Sequence, residues 1–99
     1  MNTGEKVLKI KLKGEIDQGC VDTLRRDIDK AIDDFKGRKI VVDLSHVTFM
    51  DSTGVGLLLG RYKKALEYGC NIYLRGATLN VDKVLKLSGI YQLMPKSEE

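Results

Sequence analysis

The sequence has few of the residues that form aromatic cores, metal sites or disulfide bonds. It contains no tryptophan, one proline, one histidine and two cysteines among its 99 residues. Cys20 and Cys70 are far apart and show no CxxC spacing, and a metal centre needs three or four converging ligands. The sequence therefore predicts neither a metal site nor a cofactor. Isolated cysteines of this kind are typical of reduced, half-buried thiols in a cytoplasmic protein.

Long apolar runs and blocks of like charge are also missing. No run approaches the roughly 20 residues needed to cross a bilayer, and residues 1–14 carry lysines inside their apolar stretch, unlike a signal peptide. The 17 basic and 14 acidic residues give a net charge of +3 and are interspersed. Nucleic-acid binding is not predicted, and the densest basic stretch, Arg61–Lys64, is interpreted as a solvated helix face. We expect one soluble, cytoplasmic domain over residues 1–99, with no membrane contact.

Hydrophobic periodicity predicts strands that alternate with helices. Residues 8–13 alternate leucine or isoleucine with lysine, the period of a strand with one wet face. Gly14 is predicted to break this strand, and Glu15 to start a second short one. Lys39–Leu44 is a continuous β-branched run, as expected of a central strand covered on both faces. Asn71–Arg75 forms a further strand.

Apolar residues at three- and four-residue spacing predict helices between these strands. The predicted helices begin at Val21, Ser52 and Asn80, and they end at Gly37, Gly69 and Gly89. The side of the second helix predicted to face the sheet carries Val55, Leu58, Leu59, Tyr62 and Leu66. Strand–helix alternation requires parallel pairing with crossover connections. The predicted fold is therefore α/β, with a small mixed, mostly parallel sheet covered by helices.

The stretch at residues 51–60, DSTGVGLLLG, begins a helix on residues that form helices poorly. Each interior glycine costs about 1 kcal/mol relative to alanine, so Gly54, Gly56 and Gly60 make the first turns dependent on tertiary packing. Glycine also allows another backbone to come close. The glycine face is interpreted either as a contact with a neighbouring helix of the same domain or as an open docking surface for a partner.

Ser52 has two interpretations at the start of this helix. Its hydroxyl can cap free backbone N–H groups, although Asp51 can do the same. A phosphate on Ser52 would meet those amides and the positive end of the helix dipole, so the fold could carry it. It would add about 1.5 to 2 negative charges beside the glycines. Ser52 is therefore either a structural cap or a phosphorylation switch that blocks docking.

This turn matches two known kinds of site, a hydrolase nucleophile and a nucleotide-binding loop, only in part. The nucleophile elbow of α/β-hydrolases needs G-x-S-x-G, but Met50 occupies the first glycine position, and His46 is the only histidine that could complete a triad. The glycines form G-x-G-x-x-x-G, one residue longer than the dinucleotide fingerprint, and no GK[ST] follows. An enzyme is not predicted. Small-molecule or nucleotide binding remains the alternative function.

Three segments together resemble one family. The stretch VVDLSHVTFMDSTGVGLLLGRYKKALEYG, with KGEID at residues 13–17 and LSGIYQL at residues 87–93, resembles the anti-sigma factor antagonists of the STAS domain family. The resemblance is to the sporulation type, which acts on the anti-sigma F factor, and it runs from Val7 to Met94. It implies a phosphorylation-switched binding protein that is not an enzyme. The unphosphorylated form would bind an anti-sigma factor, itself a serine kinase, and thereby free the sigma factor.

The resemblance also implies roles for individual residues. The kinase would phosphorylate Ser52, and a metal-dependent serine phosphatase would reverse the reaction. The residues implied to lie on, beside or behind the docking surface are Asp17, Asp51, Ser52, Thr53, Gly54, Gly56 and Gly60. Other family members act within stress-signalling assemblies, which is a further alternative. Family members commonly continue past the last strand into another C-terminal helix, whereas this sequence stops at PKSEE (residues 95–99). We therefore expect that this helix is either reduced to a turn or trimmed in this form.

Overall fold

The computed structural model describes residues 6–97 as three parallel strands alternating with three α-helices. Predictions about residues 1–5 and 98–99, including part of the stretch considered as a signal peptide, lie outside the described residues. The strands are β1 (Val7–Ile16), β2 (Lys39–Met50) and β3 (Asn71–Arg75), and the helices are α1 (Val21–Asp34), α2 (Ser52–Glu67) and α3 (Leu79–Ser88), followed by a 3-10 turn (Ile90–Gln92). The sheet order is β1-β2-β3. This confirms the predicted small α/β domain with a central β2.

β1 is one continuous strand, so the predicted break at Gly14 is wrong. Its pairing with β2 runs in parallel from Val7 opposite Lys39 to Ile16 opposite Met50, with two register shifts on the way. One shift falls directly after Gly14, whose φ of +82° suits glycine. The glycine therefore accommodates a local irregularity, and pairing continues to the carboxyl ends of both strands.

The helices cover one face of the sheet. Ile40, Val42 and Leu44 of β2 join apolar side chains of all three helices in a single core. Val41 points to the opposite face and lies outside that core, although it is only 1% exposed. Residues 40–42 are therefore buried on both faces of the sheet, as predicted, although the helices among residues 6–97 lie on only one of them. Val41 is instead flanked by its strand neighbours Lys9 and Tyr73.

Two helix boundaries differ from prediction. α1 ends at Asp34 because Phe35 is already extended, with ψ of 130°. Gly37 is not left-handed, and a side chain there would collide with the Phe35 ring. α3 begins at Leu79, which leaves Asn80 inside the helix. The predicted stops at Gly69 and Gly89 are confirmed, since both have left-handed φ values of +74° and +77°.

The buried side of α2 differs from the one that hydrophobicity predicts. Leu66, predicted to face the sheet, is 51% exposed, whereas Arg61 is buried. Arg61 Nε lies 2.7 Å from Asp29 Oδ1 of α1, and Lys64 Nζ lies 3.0 Å from Asp33 Oδ1. The interpretation of Arg61–Lys64 as a solvated face is therefore wrong, because α1 supplies two carboxylates to it.

The same helix pair is joined by a short hydrogen bond. Tyr68 donates to Asp33 Oδ1 over 2.5 Å. This bond, with the one from Lys64, lowers the pKa of the Asp33 carboxyl, and the pKa values of Tyr68 and Lys64 rise in response. These contacts hold the carboxyl-terminal half of α2 against α1.

α3 is tied to the segment that follows it through Asp82. Tyr91 donates to Asp82 Oδ1 over 2.6 Å, and Lys86 and Lys96 lie 3.1 and 3.4 Å from the carboxylate. The Tyr91 hydrogen bond, then that of Lys86, lower the pKa of Asp82 to about 2. Lys96 also forms a parallel bridge with Leu74, so this segment returns to the edge of β3. Within residues 6–97, no helix is both long enough and apolar enough to cross a membrane.

Candidate functional site

Two aspartates follow directly on the paired ends of β1 and β2. Ile16 and Met50 are paired as the last residues of these strands, and Asp17 and Asp51 follow them directly. Parallel strands place their carboxyl ends at the same edge of a sheet, so both acids lie at this edge. Asp17 Oδ1 accepts a hydrogen bond from the backbone N–H of Gly19 over 2.9 Å, which shapes the turn into α1.

Asp51, and not Ser52, caps α2. The Oδ1 atom of Asp51 accepts a hydrogen bond from the N–H of Thr53 over 2.9 Å, and its carbonyl accepts one from the N–H of Val55 over 3.1 Å. Ser52 is the first residue of the helix and its side chain is exposed. Asp51 therefore caps the helix, and the interpretation of Ser52 as a structural cap is excluded. Thr53 is only partly exposed.

Gly54 is required for packing inside the domain. A Cβ atom at this position would lie 2.5 Å from Met50 Cγ and 3.2 Å from Ile16 Cγ2. Both distances are too short for ordinary carbon contacts. Because Gly54 has no side chain, the first turn of α2 can sit directly on the ends of β1 and β2. This close approach fixes where Ser52 stands.

Gly56 and Gly60 have a different role from Gly54. A Cβ atom added at either position meets no atom within 4 Å. Gly56 is exposed and Gly60 is half-buried. Since Gly56 and Gly60 are four residues apart in α2, they share one side of the helix. Their flat face is therefore open and does not pack against a neighbouring helix among residues 6–97.

Phe49 was missed as a residue of this edge. It is 46% exposed and lies two residues before Asp51. An apolar aromatic in a strand is normally assigned to the core, which is why the sequence did not single it out. Simple alternation would also place Phe49 on the same face as Val47, which is buried. The register shift between Gly14 and Glu15, which leaves Thr48 without a partner, separates the two side chains, and periodicity does not reveal it.

The alternative chemical sites are not assembled at this turn. His46 Nδ1 lies 3.2 Å from the Oγ atom of Ser45, so its hydrogen-bond partner is its neighbour and not Ser52. The glycines of the G-x-G-x-x-x-G pattern lie inside α2 and not in a loop ahead of it, where they would cradle a phosphate. In the described part of the chain, no group of three or more His, Cys, Asp or Glu side chains could hold a metal ion. Cys20 and Cys70 are free thiols, the first half-buried and the second buried.

Comparison with known families identifies the domain that contains this edge. The STAS domain family matches the chain over residues 1–99. The chain belongs to the STAS domain family. Its strand–helix turn at Asp51 and Ser52 is thus part of a STAS domain.

Curated relatives of this STAS domain carry regulatory names. An anti-sigma F factor antagonist of Paenibacillus polymyxa is 36% identical over 89 residues, covering 90% of this chain and 76% of the relative. An anti-sigma-B factor antagonist of Staphylococcus aureus is 30% identical over 96 residues, covering 97% of this chain and 88% of the relative.

Solved structures of similar STAS proteins include both states of one antagonist. The anti-sigma factor antagonist SpoIIAA in its unphosphorylated form superimposes with a TM-score of 0.79 at 30% identity, covering all of this chain and 86% of the other. The Bacillus cell fate determinant SpoIIAA in its phosphorylated form gives a TM-score of 0.69 at 29% identity, covering all of this chain and 89% of the other.

Proposed function

We propose that this protein is an anti-sigma factor antagonist that binds its partner through the edge around Ser52 and is switched off by phosphorylation of Ser52. The partner is an anti-sigma factor that is also a serine kinase, and a metal-dependent serine phosphatase restores the unphosphorylated form. The names of the relatives support the general role. The observation that carries the switch is that Ser52 is exposed while Asp51 provides the cap.

The separation of these two tasks explains why a phosphate would be tolerated. The Asp51 side chain satisfies the N–H of Thr53, so modifying Ser52 removes no bond that holds the helix. A phosphate at the first residue of α2 would face the positive end of the helix dipole, a favourable position for negative charge. Phosphorylation should therefore leave the fold intact.

The neighbouring surface explains why the phosphate would block binding. The open face of Gly56 and Gly60 lets a partner backbone approach α2 closely. Phe49 offers an exposed aromatic side chain at the same edge, and aromatic residues are enriched at the centres of interfaces. A dianionic group on Ser52, close to the carboxylates of Asp17 and Asp51, would add bulk and repulsion where the partner docks.

Ser52 variants test the switch. With the kinase and ATP, wild type should gain one phosphate, detected by intact-protein mass spectrometry, and Ser52→Ala should gain none. Ser52→Asp should weaken kinase binding by at least about tenfold, or about 1.4 kcal/mol, measured by titration calorimetry. Both variants should melt close to wild type because Asp51 retains the cap.

Thr53→Ala is the matched control and should still be phosphorylated. Phosphate found on Thr53 would contradict the assignment of Ser52. A fall in the melting temperature of Ser52→Asp that parallels its loss of binding would mean that Ser52 is structural, and the switch would be rejected.

A further inference from the structure

The face of the sheet opposite the helices carries more cations than carboxylates. Strand alternation and register place on this outer face the cations Lys9, Lys11, Lys13, Lys39 and Arg75, and the carboxylates Asp43 and Glu15. Five cations and two carboxylates leave an excess of three positive charges on this face.

The lysines of β1 are the available part of this outer face. Lys9, Lys11 and Lys13 are exposed and form no ion pair with any residue in the 6–97 range. Successive residues of a strand are about 3.3 Å apart, so these ammonium groups stand on stems spaced about 6.6 Å along β1. Lysines on an edge strand also discourage aggregation, but that role does not need further cations on the two neighbouring strands.

A groove runs across the outer face beside these lysines. It has a volume of about 470 Å³ and is lined by Lys9, Ile10, Lys11, Val41, Asp43 and Arg75. The only acid in it, Asp43, is engaged, since it lies 3.0 Å from Arg75 and accepts a hydrogen bond from the N–H of Ser45. The groove thus offers cationic side chains to a ligand, whereas Val41 beneath them is 1% exposed and contributes almost no apolar surface.

The surroundings of the groove favour a protein ligand over nucleic acid or membrane. None of the described residues that line the groove is aromatic, so the groove offers no ring on which a base could stack. In the described parts of the strands around the groove, residues 9–13, 39–43 and 71–75, no large apolar side chain is exposed that could insert into lipid. Side chains of an extended peptide repeat at the same spacing as the β1 lysines.

We propose that the outer face binds an acidic, extended protein segment with carboxylates at alternate positions. The carboxylates would pair with Lys9, Lys11 and Lys13, and the backbone of the segment would lie along the groove. Lys9 and Lys11 lie seven and five residues before Ile16, which marks the end of β1 where Ser52 stands, so binding in the groove is separate from the Ser52 switch.

A labelled peptide of alternating glutamate and threonine tests the proposal by fluorescence anisotropy at low ionic strength. Lys9→Glu/Lys11→Glu should weaken binding by at least about tenfold, since two exposed ion pairs are replaced by repulsion. The control Lys36→Glu/Lys63→Glu changes the net charge equally on exposed residues elsewhere and should change affinity less than about twofold. Lys9→Gln/Lys11→Gln removes the two charges without reversing them and serves as a second variant if charge reversal impairs folding. Ser52→Asp should bind the peptide with the affinity of wild type.

The location of binding is checked by amide chemical shifts, which should change in residues 9–13, 41–43 and 73–75. Equal losses in the two charge-reversal pairs would show non-specific attraction and overturn the proposal. So would tighter binding at this face of an equally charged single-stranded oligonucleotide or of phosphatidylserine vesicles. A peptide with its glutamates grouped in one block should bind more weakly than the alternating peptide, and equal binding would also reject the proposed spacing.

Discussion

Alanine substitutions at two glycines of α2 should change stability in opposite directions. At Gly56 the new methyl group meets no atom within 4 Å, so only the helix propensity changes. Gly56→Ala should therefore raise the free energy of unfolding by about 0.5–1 kcal/mol. At Gly54 the methyl group would lie 2.5 Å from Met50 Cγ. Overpacking of this kind costs about 1–3 kcal/mol, and because position 54 lies in the first helical turn the propensity gain offsets only part of it.

The net expectation for Gly54→Ala is a loss of about 1–2 kcal/mol. Urea unfolding of both variants and wild type measures the two changes, with equal slopes showing that the unfolded states are comparable. Kinase binding, measured on the same samples, should weaken in Gly56→Ala although that variant is more stable, because its methyl group occupies the docking face. A destabilised Gly56→Ala would refute the open glycine face, and a stabilised Gly54→Ala would refute the close contact with the strand ends.

Three further changes test the supports of the site. Asp51→Ala should lower the free energy of unfolding by about 1 kcal/mol through loss of the cap, whereas Asp51→Asn should stay near wild type in urea titrations. Arg61→Met should cost about 1–2 kcal/mol because it removes the ion-pair partner of the Asp29 side chain, which is 27% exposed, and adding Asp29→Leu should recover part of this in the same assay. The interactions that lower the pKa of Asp82 stabilise the folded protein fully at pH values above 3.8, the pKa of Asp82 in the unfolded chain. This contribution is lost as the pH falls towards about 2, the pKa of Asp82 in the folded protein. The melting difference between wild type and Asp82→Asn should therefore be constant above that window and shrink within it.

The sequence predicted the order of elements because its periodic signals are strong. The lysine alternation of β1, the β-branched run of β2 and the left-handed glycines at positions 69 and 89 each have one simple structural solution. The position of Ser52 at the start of α2 followed from the same signals. These features depend on neighbours along the chain, which a sequence shows directly.

The failures concern contacts between distant residues. The sequence predicts an exposed Arg61 because it does not show that Asp29, on another helix, lies beside it. It predicts a buried Leu66 because leucine is hydrophobic, although position 66 lies on the exposed side of α2. Gly37 was taken for a helix stop although its small size serves the Phe35 ring. For the same reason the sequence left open whether the glycines of α2 face a neighbour or solvent. The structure divides them, with Gly54 against the strands and Gly56 and Gly60 open.

The division of tasks between Asp51 and Ser52 affects how regulation is inherited. Since the Asp51 carboxylate holds the helix, a single codon change at position 52 to another small residue would delete the proposed switch and spare the fold. A descendant carrying that change would still accumulate as a folded protein and would bind its partner at all times. Loss of control in such lineages would thus leave no trace in expression or thermal stability, and only a phosphorylation assay would reveal it.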